Sequence, residues 1–357
     1  MASLGGSLRA TGRVIFVRHG ESIWNTSPVR FTGWANVPLT DKGMQQAQET
    51  GKTLAMFNLR PDTAITSLLR RSKDSLEQIF KANPTLSSEC TVINSWRMNE
   101  RHYGALVGLS KEEAAEQMGK ELVNEWRKSW AVSPPPMLRE DLYAYKEAPW
   151  AQPVTVVTEP GKESFTVTES SGAEMPVTES LEDCCNRVLP LWTSSILPRL
   201  LLGQCVLIVA HANSIRAIVK HIDEISTDRV RTINVPSAIP LVYDFARQDK
   251  LLVPVGAPSS HGMRGRYVAS RDLVLSLRQS LRTGGDNEND TSFLSLLDES
   301  VLSALSVDSR SHLDSKGGVV VGGPKSSVLV RAHFARNVLG DLEESGSNNN
   351  LVGEKRV

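Results

Sequence analysis

Val14-Ile15-Phe16-Val17-Arg18-His19-Gly20-Glu21 is the stretch on which the fold turns. Four consecutive apolar residues, rich in Val and Ile, read as a strand buried on both faces of a parallel sheet. In open α/β sheets ligands bind beyond the carboxyl ends of the strands, so Arg18 and His19 fall where such a sheet does its chemistry. The layout recurs far downstream, where Val206-Leu207-Ile208-Val209-Ala210 runs directly into His211. Strands of this kind, alternating with helices, predict an α/β fold with three layers, α/β/α, around a mostly parallel central sheet. They also predict that both imidazoles face one small cavity.

Composition removes several classes of partner. The 357 residues carry 40 basic and 40 acidic side chains, so no global field recruits nucleic acid or an anionic membrane. No apolar run approaches the roughly 20 residues that span a bilayer. The opening 13 residues lack acids but also lack the apolar segment of a secretory signal. A cytoplasmic protein is expected, with an organelle left open. The four cysteines, Cys90, Cys184, Cys185 and Cys205, show no C-x-x-C spacing. The adjacent pair is a poor disulfide, and reduced thiols are expected. The seven histidines are scattered without metal-ligand spacing, so no metal is expected.

Residues 12–280 read as one catalytic body, preceded by a short extension, 1–11. A loop with Arg30-Phe31-Thr32-Gly33-Trp34 leads to a helix beginning near Met44, with Thr40 or Asp41 as its cap. A short strand is expected at 64–67, a helix at 69–80 and one continuous helix over 111–130, ended by Pro134-Pro135-Pro136. Residues 141–178, with three Val-Thr-Glu phrases, read as an irregular surface insertion. Helix returns over 181–202, interrupted by Pro190 and Pro198. Asn213-Ser214 are expected to cap the helix after the second histidine, and 239–245 to form a final strand. Beyond 281 the composition becomes linker-like at 283–290 and 345–350, a partly disordered extension in which 293–305 and 328–342 have short helical patterns.

An imidazole nitrogen can accept a phosphoryl group and so split one difficult transfer into two easier ones. A lone histidine after a strand is more often structural. Here Arg18 precedes His19, and Gly20 would permit close backbone approach to an anion. Arg71, just past another strand end, could fork onto phosphate oxygens, although the run alone fits a solvated helix arginine equally well. Asn99-Glu100-Arg101-His102-Tyr103-Gly104 packs an acid, two potential cations and a phenol into one loop. A carboxyl there could carry the proton that transfer must move.

Taken together, these phrases resemble the cofactor-dependent phosphoglycerate mutase family of the histidine phosphatase superfamily. The matching segments are Arg18-His19-Gly20-Glu21-Ser22-Ile23-Trp24-Asn25, Arg30-Phe31-Thr32-Gly33-Trp34, the 99–104 loop, Trp126-Arg127-Lys128, Val132-Ser133-Pro134-Pro135, Glu179-Ser180-Leu181 and His211-Ala212-Asn213-Ser214-Ile215-Arg216-Ala217. They keep the family's order over roughly residues 12–270. The resemblance implies a phosphohistidine at His19, proton transfer by Glu100, and stabilisation of the moving phosphoryl group by His211, Arg18, Arg71 and Asn25. It places Ser22, Thr32, Gly33, Arg101, Tyr103, Lys111, Arg127, Lys128, Ala212 and Asn213 at substrate-binding positions. It implies interconversion of 3- and 2-phosphoglycerate in glycolysis and gluconeogenesis, with 2,3-bisphosphoglycerate as primer and no metal. It also implies a homodimer or homotetramer.

The chain departs from the family pattern in places. Ala212 stands where Gly is usual, Lys128 replaces an Arg, and Ser72-Lys73-Asp74-Ser75 replaces Ala-x-x-Thr after Arg71. Two other readings therefore stay open. One is a phosphatase of the same superfamily acting on 2,3-bisphosphoglycerate or another small phosphoester. The other is a non-catalytic descendant whose extension serves interaction.

Overall fold

The computed structural model describes residues 10–137, 154–157, 165–167, 176–248, 251–259, 261–270 and 318–321. Its strands are β1 (Ala10–Arg18), β2 (Thr63–Thr66), β3 (Thr91–Asn94), β4 (Val154–Val157), β5 (Phe165–Val167), β6 (Cys205–Ala210), β7 (Leu241–Gln248), β8 (Leu251–Pro254), β9 (Arg266–Ser270) and β10 (Gly318–Val321). They form one sheet in the order β10-β9-β7-β1-β6-β2-β3-β4-β5, with β8 paired to β7. The middle of the sheet, β1-β6-β2-β3, is parallel throughout. The ladders toward both edges are antiparallel.

The apolar run of β1 supplies both faces of the core, because successive side chains of a strand point to opposite sides. Val14 and Phe16 pack with the helices Leu181–Leu191 and Ala212–Ile222. Ile15 and Val17 pack against the helices Asp41–Met56 and Arg70–Ala82. β6 divides in the same way, with Val206, Ile208 and Ala210 on one side and Leu207 and Val209 on the other. The sheet is thus sandwiched between two helical layers, the α/β/α arrangement expected from sequence.

Register delivers the site. Arg18 pairs with Ala210 across the parallel β1/β6 ladder, and the His19 N–H donates to the Ala210 carbonyl at 3.0 Å. The two histidines therefore leave neighbouring strands at the same level. Each strand was legible alone, whereas their adjacency is a property of the sheet.

Several local expectations are corrected. Residues 111–130 form two helices, Lys111–Met118 and Lys120–Lys128. Gly119, at φ +92°, breaks them, since a left-handed glycine ends one helix and lets the chain turn. The helix expected near Met44 begins at Asp41, with the Thr40 hydroxyl accepting from Gly43 N–H. The helix from Leu181 runs through Pro190, loosens into a π turn over Trp192–Ile196 and resumes at Leu197–Leu201. Pro190 has no N–H for the preceding turn, and Pro198, near a helix start, needs none.

After His211 the helix begins at Ala212 with His211 itself as the cap residue; Ser214 reaches back to accept the His211 N–H at 3.2 Å. β7 is followed by β8 and β9, which lay unread beyond the expected final strand. β4 and β5 fall inside 141–178, and β10 inside the C-terminal extension pairs with β9. The helical patterns at 293–305 and 328–342, and the linker-like runs at 283–290 and 345–350, lie outside the described residues. Among the described residues no helix is long and apolar enough to cross a membrane.

Candidate active site

His19 is 3% exposed and His211 fully buried, with ring centroids 5.0 Å apart. Nδ1 of His19 lies 2.7 Å from the Gly20 carbonyl, which can only accept, so Nδ1 carries the proton and Nε2 the lone pair. Burial, then the neighbouring charges of Arg71 and Arg18, hold the His19 pKa well below its ordinary value. The ring is neutral near pH 7, the state a nucleophile requires. His211 is pushed the same way by burial, then by Arg71, His19 and Arg18.

Arg71 is fixed from behind. Its two terminal nitrogens donate to the carbonyls of Ala35 (2.9 Å) and Gly33 (2.8 Å), and its Nε donates to Nε2 of His19 at 3.2 Å. Burial lowers its pKa to about 10, which leaves it charged at neutral pH. Arg18 donates one terminal nitrogen to the Val235 carbonyl, and its Nε is buried without a partner. Nδ1 of His211 is also buried and unpartnered. Polar atoms orphaned in this way ordinarily cost stability, and here an arriving anion could engage Arg18 Nε directly and His211 Nδ1 once that atom carries a proton.

A cavity of about 170 Å³ opens beside these residues. Twelve of the sixteen site residues expected from sequence line it: Arg18, His19, Asn25, Thr32, Gly33, Arg71, Glu100, Tyr103, Lys111, Arg127, Ala212 and Asn213. Glu100 is held by backbone, its Oε1 accepting from the N–H groups of Arg101 (2.8 Å) and Asn213 (3.2 Å). Tyr103 accepts from the Asn213 amide at 3.1 Å. The break at Gly119 places Lys111 at the start of one helix and Arg127 in the last turn of the next, and both reach the wall.

Four expected residues do not line the cavity. His211 lies behind it, against His19. Ser22 is fully buried and donates its hydroxyl to Asn25 at 2.8 Å, so it orients Asn25. Arg101 is buried and ties the Glu179 and Trp126 carbonyls together, both at 2.7 Å. Lys128 ends its helix exposed. Gly20 also differs from expectation: a Cβ there would come within 2.2 Å of the Gly43 carbonyl oxygen. Its close approach is to the helix Asp41–Met56, not to an anion.

Two cations on the wall were missed, Arg30 and Arg216. Arg30 pairs with Glu113 at 2.8 Å, and Arg216 donates to Asn213 at 3.1 Å and to the Ile233 carbonyl at 2.9 Å. The sequence carries a signal for Arg216, because residues three apart on a helix share a face and Asn213 is itself an expected site residue. Also missed was the buried pair Arg187–Glu179 at 2.6 Å. Arg187 lies over the rings of Trp34 and Trp96 and donates to the carbonyls of Trp96, Arg97, Asn99 and Glu100. It therefore fastens the loop that presents Glu100.

The wall thus carries six cationic side chains and one carboxylate, and the lone pair of its neutral imidazole accepts from Arg71. That arrangement can hold a small polyanion and attack phosphorus. The histidine phosphatase superfamily (branch 1) pattern matches residues 14–147. A protein of Hamiltonella defensa subsp. Acyrthosiphon pisum (strain 5AT) named 2,3-bisphosphoglycerate-dependent phosphoglycerate mutase is 41% identical over 233 residues, 65% of this chain and 86% of that protein. Among solved structures, a mycobacterial glucosyl-3-phosphoglycerate phosphatase complexed with VO3 aligns at 17% identity and TM-score 0.47, covering 68% of this chain and 95% of its own. Bacillus stearothermophilus YhfR aligns at 19% identity and TM-score 0.48 with the same coverage. On the 41% identity carried across most of that relative's length, the chain belongs to the 2,3-bisphosphoglycerate-dependent phosphoglycerate mutase family of the histidine phosphatase superfamily.

Proposed function

We propose that this chain is a phosphoglycerate mutase that interconverts 3- and 2-phosphoglycerate, carrying the phosphoryl group on Nε2 of His19. The observation that carries the reading is the lone pair of His19 Nε2, held between Arg71 and the His211 ring in a cavity lined by cations. The residues fit 2,3-bisphosphoglycerate: the partnerless Arg18 Nε lies buried at a wall whose charges are mostly positive. When bound, that compound supplies the phosphoryl group that primes His19.

Arg18, Arg71 and, once protonated, His211 meet the oxygens of the moving group, and aligned donors of this kind stabilise charge that develops during transfer. Glu100 exchanges the proton with the substrate hydroxyl, its carboxylate aimed by two backbone N–H groups. Lys111 and Arg127, from the two short helices, hold the substrate's other anionic end. A cytoplasmic, self-associating enzyme with residues 12–280 as its catalytic body completes the proposal.

Incubation of the full chain with 3-phosphoglycerate, with and without 2,3-bisphosphoglycerate, tests it. Formation of 2-phosphoglycerate that depends on the primer is expected. Phosphate release exceeding isomerisation would favour the phosphatase reading, and acid-labile phosphate absent from His19 would overturn both.

A further inference from the structure

Behind His211 lies a run of three buried hydroxyls: Ser67, Ser72 and Thr66. Nε2 of His211 is 2.8 Å from Ser67 Oγ, Ser67 Oγ is 2.7 Å from Ser72 Oγ, and Ser72 Oγ is 2.6 Å from Thr66 Oγ1. Thr66 Oγ1 donates to the Val209 carbonyl at 2.8 Å. That last bond sets the direction of all the others, because a carbonyl only accepts and each hydroxyl has one proton. Thr66 is committed to Val209, so Ser72 must donate to Thr66, Ser67 to Ser72, and His211 Nε2–H to Ser67. Backbone donors complete the set: Leu69 N–H reaches Ser67 Oγ at 3.1 Å and Ser67 N–H reaches Ser72 Oγ at 3.2 Å.

We infer that Ser72 is a positioning residue that fixes the tautomer of His211, making the capture of a phosphoryl oxygen by this histidine depend on uptake of a proton. With the proton pinned on Nε2, the neutral ring offers only a lone pair at Nδ1, its one unengaged polar atom. A phosphoryl oxygen is an acceptor as well, so the two repel until Nδ1 is protonated. The proton comes from a phosphate monoanion, which becomes the dianion as imidazole becomes imidazolium, or from solvent once the phosphate is already dianionic. An N–H bond forms at Nδ1 as the O–H bond of the monoanion or of the solvent donor breaks, and no P–O bond is touched.

Ser72 decides this, and it stands where the family pattern has Ala. Without its oxygen, Ser67 loses its acceptor and can turn its proton onto Nε2, moving the ring proton to Nδ1. The ring would then be a ready donor to phosphate with no proton taken up. The charged and titratable groups facing His211 are Arg71, His19, Arg18 and Arg187. Across pH 7 to 9 His19 is already neutral, and Arg71 titrates higher, at about 10. Burial and these cations keep unliganded His211 neutral in that window.

The inference rests on the mutase reading only in taking a phosphoryl oxygen as what meets Nδ1, and its test uses no turnover. Long-range proton–nitrogen NMR of the full chain, labelled in histidine and free of ligand, reads the tautomer directly; H211N assigns the signal. Nε2–H is expected in the wild type and Nδ1–H in S72A. Binding of inorganic phosphate is then followed from pH 7.5 to 9. Wild-type affinity should fall about tenfold per pH unit, as uptake of one proton requires, and S72A affinity should stay nearly flat. An Nδ1–H signal in the wild type overturns the inference even if S72A does not fold, as do equal slopes for the two proteins. Absent phosphoglycerate turnover would overturn the functional reading and leave both measurements standing.

Discussion

Nε of Arg71 donates to Nε2 of His19 across 3.2 Å while the rest of its guanidinium is tied to the carbonyls of Gly33 and Ala35. The atom proposed to attack phosphorus is thus held in its lone-pair form by the cation proposed to receive the phosphoryl oxygens. Two anchors and one contact require a planar fork, which lysine cannot reproduce. R71K should therefore lower kcat by about 100-fold or more with a smaller change in KM. Steady-state mutase assays together with His19 phosphate trapping check this; an R71K enzyme within threefold of wild type would contradict it.

Arg127 and Lys128 are sequence neighbours with different surroundings. Arg127 lines the cavity, while Lys128 does not and is exposed. R127A should raise KM about tenfold, the size of one lost hydrogen bond to a charged group. K128A should change KM by less than about twofold, as surface substitutions commonly do. Equal losses in the two variants would place Lys128 on the substrate after all.

Acid should destabilise the fold earlier than its carboxylates alone would. Burial lowers the His102 pKa from 6.5 to about 4. Between those values the unfolded chain binds a proton that the folded chain refuses, so stability is full above about pH 6.5 and is lost as pH falls toward 4. This residue accounts for about 3 kcal/mol of that loss, and His19 and His211 act in the same direction. Urea melts of the wild type and H102Q at pH 7, 5.5 and 4.5 should show the shallower acid loss in the variant.

Ala238 occupies the left-handed region, at φ +58°. Its N–H donates to the Arg18 carbonyl at 2.8 Å, and its carbonyl accepts the Thr50 hydroxyl at 2.6 Å. The site therefore holds it in a conformation that costs an L-residue about 1 kcal/mol. A238G should raise Tm by about 2 °C without changing the cavity wall. A lower Tm would mean that the glycine's greater freedom in the unfolded chain outweighs the relief.

Much of the architecture was legible because it rests on local rules. The runs before His19 and His211 are too apolar for anything but strands covered on both faces, and Thr40 is a helix cap by its own chemistry. The break at Gly119 was missed because the apolar spacing of 111–130 continues across it, while the positive φ that ends the first helix is a backbone property that no side-chain pattern reports. β3 was missed for a related reason: Thr91-Val92-Ile93-Asn94 is short and only half-buried, too little signal to separate a strand from a loop.

The sequence by itself determined the kinds of group present at the strand ends: two imidazoles, an arginine and a carboxylate loop, since strand placement follows from local hydrophobicity. Tertiary structure alone decided which of them meet. The β1/β6 register set the 5.0 Å between the rings, the Arg187–Glu179 pair aimed Glu100, and the Val209 carbonyl set the proton on His211. Each of those facts joins residues far apart in the chain, and the energies of burial and hydrogen bonding that fix them exist only once the segments are packed.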